Sequence, residues 1–171
     1  TVMVQSVSTV SPYTMEKPMV DNSDILWNLY QEHCAWERHH EEQRASGTSL
    51  FIAIAAGVLG LVTFDGHLNV GDFPLTVFLI MQGLFGALLA AKHYERFCMH
   101  QQRANLYRDA IDALFPEAKI NSIRHKADEK NDLKFPRLHK LRLHYFWVGL
   151  HLLVALFGIV LTIGIWLKWF V

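Results

Sequence analysis

Two uncharged apolar runs, residues 45–64 and 73–91, constrain this chain more than any other feature. They hold 20 and 19 residues, close to the ~20 that a helix needs to cross the hydrocarbon core of a bilayer. The eight residues between them, 65–72, include Asp, Gly and Asn, a composition that turns a chain at a surface. The pair reads as a transmembrane helical hairpin. A third apolar block, residues 145–167, carries one ionisable group, His151. Trp147, Trp166 and Trp169 lie near its two ends, where amphipathic rings favour the headgroup region.

Helical periodicity extends beyond the apolar runs. Leu26, Leu29, His33, Trp36, His40 and Gln43 recur in steps of three and four, which places them on one helical stripe. Phe97, His100, Ala104, Tyr107, Ile111 and Leu114 form a matching stripe after the second run. No proline interrupts residues 23–64, so one helix is expected there, with Ser23 as its N-cap. Antiparallel spans bring their extensions side by side, which predicts a two-helix stalk ending at Pro116. Residues 116–136 read as a charged, irregular segment between two prolines, and a last helix is expected from about Arg137. The fold class is therefore all-α: three transmembrane helices with a helical stalk, assembled as an oligomer. The expected divisions are an arm at 1–22, a stalk helix at 23–44, a hairpin at 45–92, a helix with a basic segment at 93–136, and the third-span helix at 137–171.

Small residues share faces on both hairpin helices: Ala53, Ala56, Gly57 and Gly60 on the first, and Gly83, Gly86, Ala87 and Ala90 on the second. Such faces let helices approach closely in lipid. Packing within the hairpin is the expected use, with packing between subunits as the alternative.

Basic residues set the orientation. Three lie before the first span, none in the 65–72 connection, twelve between the second and third spans, and one after the third. By the positive-inside rule the N-terminus and residues 92–144 face the cytosol, and the C-terminus lies outside. No secretory signal pattern opens the sequence. Cys34 and Cys98 are expected to be free thiols in a reducing compartment.

The chemistry-bearing residues leave several readings open. His33, Glu37, His40 and Glu41, opposed by His93 or His100, invite a metal site, but only one helix carries a Glu-x-x-His pair. No metal or cofactor is therefore expected. Arg137 and His144 fit a loose ribonuclease spacing, which arises easily in a basic stretch, and no phosphate loop or nucleophile motif accompanies it. No catalytic residues are assigned, and the chain does not read as an enzyme. Arg96, Arg103, Arg108, Arg124, Lys126, Lys130, Lys134, Arg137, Lys140 and Arg142, interleaved with Tyr94, Tyr107 and Phe135, could hold a nucleotide or single-stranded nucleic acid. The plainer explanation is contact with anionic headgroups. Gln82 and His151 are the polar side chains at membrane depth, and either could line a wet path or bond a neighbouring helix.

The layout resembles small three-span membrane proteins of bacterial anti-phage defence. The likeness spans about residues 22–169. It rests on Leu26 to Tyr30, Trp36 to Arg38 and Arg44 in the first helix, the tight hairpin, a polar helix ending Leu114-Phe115-Pro116, and a final hydrophobic helix. Within that group the chain looks most like the channel effector of Hailong-type systems, and it is similar in scale to the pore-forming accessory protein of type VI CRISPR systems. The Hailong resemblance implies a tetrameric ion channel of the bacterial inner membrane and a nucleotidyltransferase partner. That partner would make a short DNA oligomer which controls the channel. No residue role transfers by motif.

Overall fold

A computed structural model describes residues 21–64 and 66–167. The described residues form four α-helices: α1 (Asn22–Val62), α2 (Phe73–Leu114), α3 (Ile120–Lys134) and α4 (Leu143–Leu167). α1, α2 and α4 are each long and apolar enough to cross a membrane. The arm expected at residues 1–22 lies outside the described residues except for its last two, as do Lys168 and Trp169 at the far end.

α1 is continuous for 41 residues, and Gly47 does not break it. Its cap is Asp21 rather than Ser23. The Asp21 carboxylate accepts from the Ser23 backbone N–H and, at 2.8 Å, from the Ser23 hydroxyl. An ionised cap also complements the partial positive charge of a helix N-terminus. α2 runs unbroken for 42 residues. It begins beside Pro74, where a missing N–H costs nothing, and ends two residues before Pro116. The segment expected to be irregular is instead helical over Ile120–Lys134. No proline lies within it, and Asp112 of α2 supplies the start: its Oδ1 accepts from the Ile120 N–H at 2.7 Å. The helix expected from Arg137 begins only at Leu143, because residues 138–140 form a single 3₁₀ turn and Leu141 is extended.

α2 is the central helix. It packs along α1 on one side and along α4 on the other, while α1 and α4 scarcely meet. The two small-residue faces therefore have different fates. Gly83 and Gly86 of α2 face α4, not α1. A Cβ on Gly83 would lie 2.5 Å from the Ala155 backbone nitrogen, and the His151 ring fills the space over Gly86. Gly158 of α4 returns the fit against Ile80 and Thr76. On α1, by contrast, Ala53, Ala56, Gly57 and Gly60 are exposed, and nothing lies within 4 Å of a Cβ built on either glycine. Packing within the hairpin is thus not how the α1 face is used in the protomer. Periodicity marks a face but does not say which neighbour it meets.

Polar ties join each pair of spans. The Thr48 hydroxyl of α1 and His151 Nε2 of α4 lie 3.1 Å apart. Gln82 Nε2 of α2 donates to the Phe51 carbonyl of α1, and Thr162 Oγ1 of α4 donates to Thr76 Oγ1 of α2 at 2.9 Å. In hydrocarbon each such bond is worth about 0.6 kcal/mol on average, so these ties fix register more than they add stability.

Candidate functional site

Stripes on the stalk portions of α1 and α2 meet as the periodicity predicts. His33 Nδ1 lies 2.9 Å from His100 Nδ1, and His40 Nδ1 lies 3.4 Å from His93 Nδ1. His40 and His100 are also in ring contact, with centroids 5.5 Å apart, and Tyr107 stacks on His33. Two imidazoles that share one hydrogen bond need a donor on one side and an acceptor on the other. Each rung therefore needs at least one neutral ring. Burial, then the neighbouring His93, His39 and Arg96, hold His40 below its ordinary pKa. Burial with Arg44 and His39 does the same for His93, and burial with His33, His40, Arg103 and Arg96 for His100. Glu37 sits between His33 and His40 in sequence with one buried, unpartnered carboxylate oxygen, and burial raises its pKa. Among the described residues no group of three or more His, Cys, Asp or Glu side chains could hold a metal ion. Cys34 and Cys98 are free thiols.

The ten basic candidates lie on α2, on α3 and on the segment that leads into α4. Arg96 pairs with Glu95. Arg108 is committed to Asn105, Asp109 and Asn121, where it helps hold α3 against α2. Arg124 pairs with Asp128 along α3. Lys126, Lys130 and Lys134 share α3 with Asp128, Glu129 and Asp132, so the charge of that helix is nearly balanced. Arg103, Arg137 and Lys140 are exposed. Arg142 lines a cleft.

That cleft, of about 340 Å³, lies where the stalk meets the spans and is lined by Glu41, Arg44, Tyr94, Phe97, Arg142, Leu143 and His144. Arg44 is 5% exposed. In the sequence it reads as an orientation determinant and as part of the resemblance, because nothing in its local pattern foretells the aromatic walls. Those walls come from α2 and α4: its guanidinium carbon lies 5.9 Å from the Tyr94 ring centroid and 6.0 Å from that of Trp147, within reach of a cation–π attraction. His144 stacks on Tyr94 at 3.8 Å.

No family of known proteins matches this chain, and no curated protein or solved structure does either.

Both candidates expected at membrane depth are interior to the fold. His151 is 2% exposed and Gln82 is 6% exposed, each tied to a neighbouring helix. The Gln82 Oε1 is a buried acceptor without a partner. As packed here, the two serve as interhelical ties, and neither faces an open path through the protomer.

Proposed function

We propose that copies of this chain assemble into an ion-permeable membrane effector. An anionic nucleotide or short single-stranded oligonucleotide at the basic residues beyond the stalk would control its opening. The observation that carries this reading is the outward small-residue face of α1. Ala53, Ala56, Gly57 and Gly60 are exposed, and a Cβ built on either glycine would meet no neighbouring group within 4 Å, the surface that close helix association in lipid requires. Three helices with a packed polar interior leave no room for an ion path within one protomer, so conduction calls for several. A ligand shifts such an assembly only by binding one state better than the other. The resemblance to defence effectors supplies the setting: the bacterial inner membrane, a tetramer, and a nucleotidyltransferase as the source of the ligand.

A second reading, a non-conducting anchor that recruits a soluble partner, draws on a different observation. Trp27, Leu106, Ile123 and Leu133 are 49%, 69%, 64% and 76% exposed on the stalk and α3, more apolar surface than a solvated stalk needs.

Ion flux from liposomes containing the purified chain, with and without short single-stranded oligonucleotides, separates the two. The channel reading expects flux that the oligonucleotides change and that Gly57→Leu abolishes. It also expects the response to weaken when Arg103, Lys134, Arg137 and Lys140 are replaced by Gln. Absence of flux from folded, inserted protein refutes the channel and favours the anchor.

A further inference from the structure

A buried arginine normally spends its five N–H donors on acceptors. Arg44 does not. Glu41 takes its Nη2 with both carboxylate oxygens, while Nε and Nη1, both buried, have no acceptor among the described residues. Two further buried nitrogens beside it are also without partners: His144 Nδ1 and Trp147 Nε1. The guanidinium of Arg44 lies over the Trp147 ring, and His144 lines the same cleft, as does Arg142. Three of these unpartnered nitrogens, Nε and Nη1 of Arg44 and Nδ1 of His144, belong to side chains that line the cleft, and the fourth, on Trp147, lies against Arg44. An unmade bond at a buried donor costs far more than a made one gains, so the arrangement is completed by an acceptor-rich group from outside the chain.

Charge and location narrow that group. Two guanidinium groups against the one carboxylate of Glu41 leave the lining with a net positive charge, matched to an anion bearing about one negative charge. The Glu41 side chain is 40% exposed and is free to turn toward solvent as an anion enters. Phosphate oxygens satisfy forked guanidinium donors in pairs. The cleft opens where the apolar runs begin, at the level of Ala45, Ala91 and Tyr145, and its remaining walls, Phe97 and Leu143, are apolar. A phosphate presented at that level of a bilayer sits at the headgroup layer.

We propose that the Arg44–Arg142 cleft is a phosphate-binding site that takes the phosphodiester headgroup of an anionic lipid. Arg44 and Arg142 clasp the phosphate oxygens, His144 donates from Nδ1, and Tyr94 and Phe97 flank the headgroup. This goes beyond the channel reading and does not depend on it. It requires only that the three apolar helices lie in a membrane.

The test uses the full chain in detergent micelles and reads thermal stabilisation and bound-ligand mass. The ligands are short-chain phosphatidylglycerol, the corresponding diacylglycerol (which lacks phosphate), and inorganic phosphate. Phosphatidylglycerol is expected to bind and stabilise, and diacylglycerol to do neither. Arg142→Gln, at an exposed position, should weaken binding about tenfold, the loss of one charged hydrogen-bonding partner. Arg44→Lys, which keeps the charge but loses the fork, should also weaken it. Arg38→Gln, an equal loss of charge elsewhere on the stalk, should leave binding intact. Binding of inorganic phosphate with the same dependence on Arg142 would uphold the site and identify a soluble phosphate as its source. The proposal is overturned if wild-type protein binds neither phosphate compound, if Arg142→Gln binds as wild type does, or if Arg38→Gln weakens binding equally.

Discussion

Replacing Gly83 with Ala tests the packing on which the three-helix arrangement depends. The added Cβ would stand 2.5 Å from the Ala155 backbone nitrogen, 2.7 Å from the His151 carbonyl oxygen and 2.8 Å from the Ala155 Cβ. Two of these atoms are backbone, so no rotamer change relieves the clash. Ordinary contact begins near ~3.5 Å, and α4 must therefore withdraw by roughly 1 Å. Overpacking of this kind costs about 1–3 kcal/mol, and the better helix propensity of alanine returns about 1 kcal/mol. Because two of the clashing atoms are backbone, the cost falls in the upper part of that range, about 2–3 kcal/mol, and the net loss is about 1–2 kcal/mol, with a further few tenths if the Thr76–Thr162 and Thr48–His151 bonds lengthen. For a chain of this size that corresponds to a fall in Tm of roughly 2–8 °C, followed by circular dichroism in detergent. Gly57→Ala makes the same chemical change where nothing lies within 4 Å, and should leave Tm unchanged or raise it. A Gly83→Ala protein that melts at or above the parent temperature would refute the close approach of α2 to α4. So would an equal fall in Gly57→Ala.

Two further outcomes follow from the stalk and its end. The folded pKa values of His40, His93 and His100 lie below the ordinary histidine value of 6.5, so the unfolded chain binds protons more readily than the folded one. Their contribution to stability is then fully present above pH 6.5 and is lost as pH falls through that value toward the depressed folded pKa values. Melting temperature in detergent should decline on acidification, and less steeply in a His40→Gln, His100→Gln double variant; a profile unchanged by those substitutions would contradict the neutral rungs. Asp112→Ala removes the acceptor for the Ile120 N–H and should destabilise the start of α3 by about 1 kcal/mol. Hydrogen exchange at Ile120 and Asn121 should accelerate, and unchanged exchange there would show that α3 does not depend on the cap from α2.

The sequence made the helices legible because their signals are local. Apolar length marked the spans, and steps of three and four brought His33 and His40 into register with His100 and His93. Pro116 marked the end of α2. What escaped it depends on distant neighbours. α3 is mostly polar, with exposed residues on nearly every side, so no apolar period announced it, and its start is capped from another helix. The small face of α2 was visible, but its partner was not, since a helix with neighbours on two sides can turn that face to either. The Arg44 cleft draws on α1, α2 and α4 together, and its evidence is a set of missing bonds that no single-segment pattern can display.

The unbroken passage of α1 and α2 through the boundary at residues 45 and 91 makes each helix a lever. At ~1.5 Å per residue the stalk arm of α1, residues 22–44, is about 35 Å long and the arm beyond it, to Val62, about 27 Å. Gly47, where an added Cβ would meet Leu89 at 4.0 Å, lies near the natural fulcrum. If the stalk helices were to part by about 2 Å at their tip, rigid pivoting there would draw the far ends together by roughly 1.5 Å. The histidine rungs at His40 and His33 sit about 10 and 21 Å from Gly47, so a proton or ligand that forces them apart would move the far ends of the spans by at least as much as the rungs themselves.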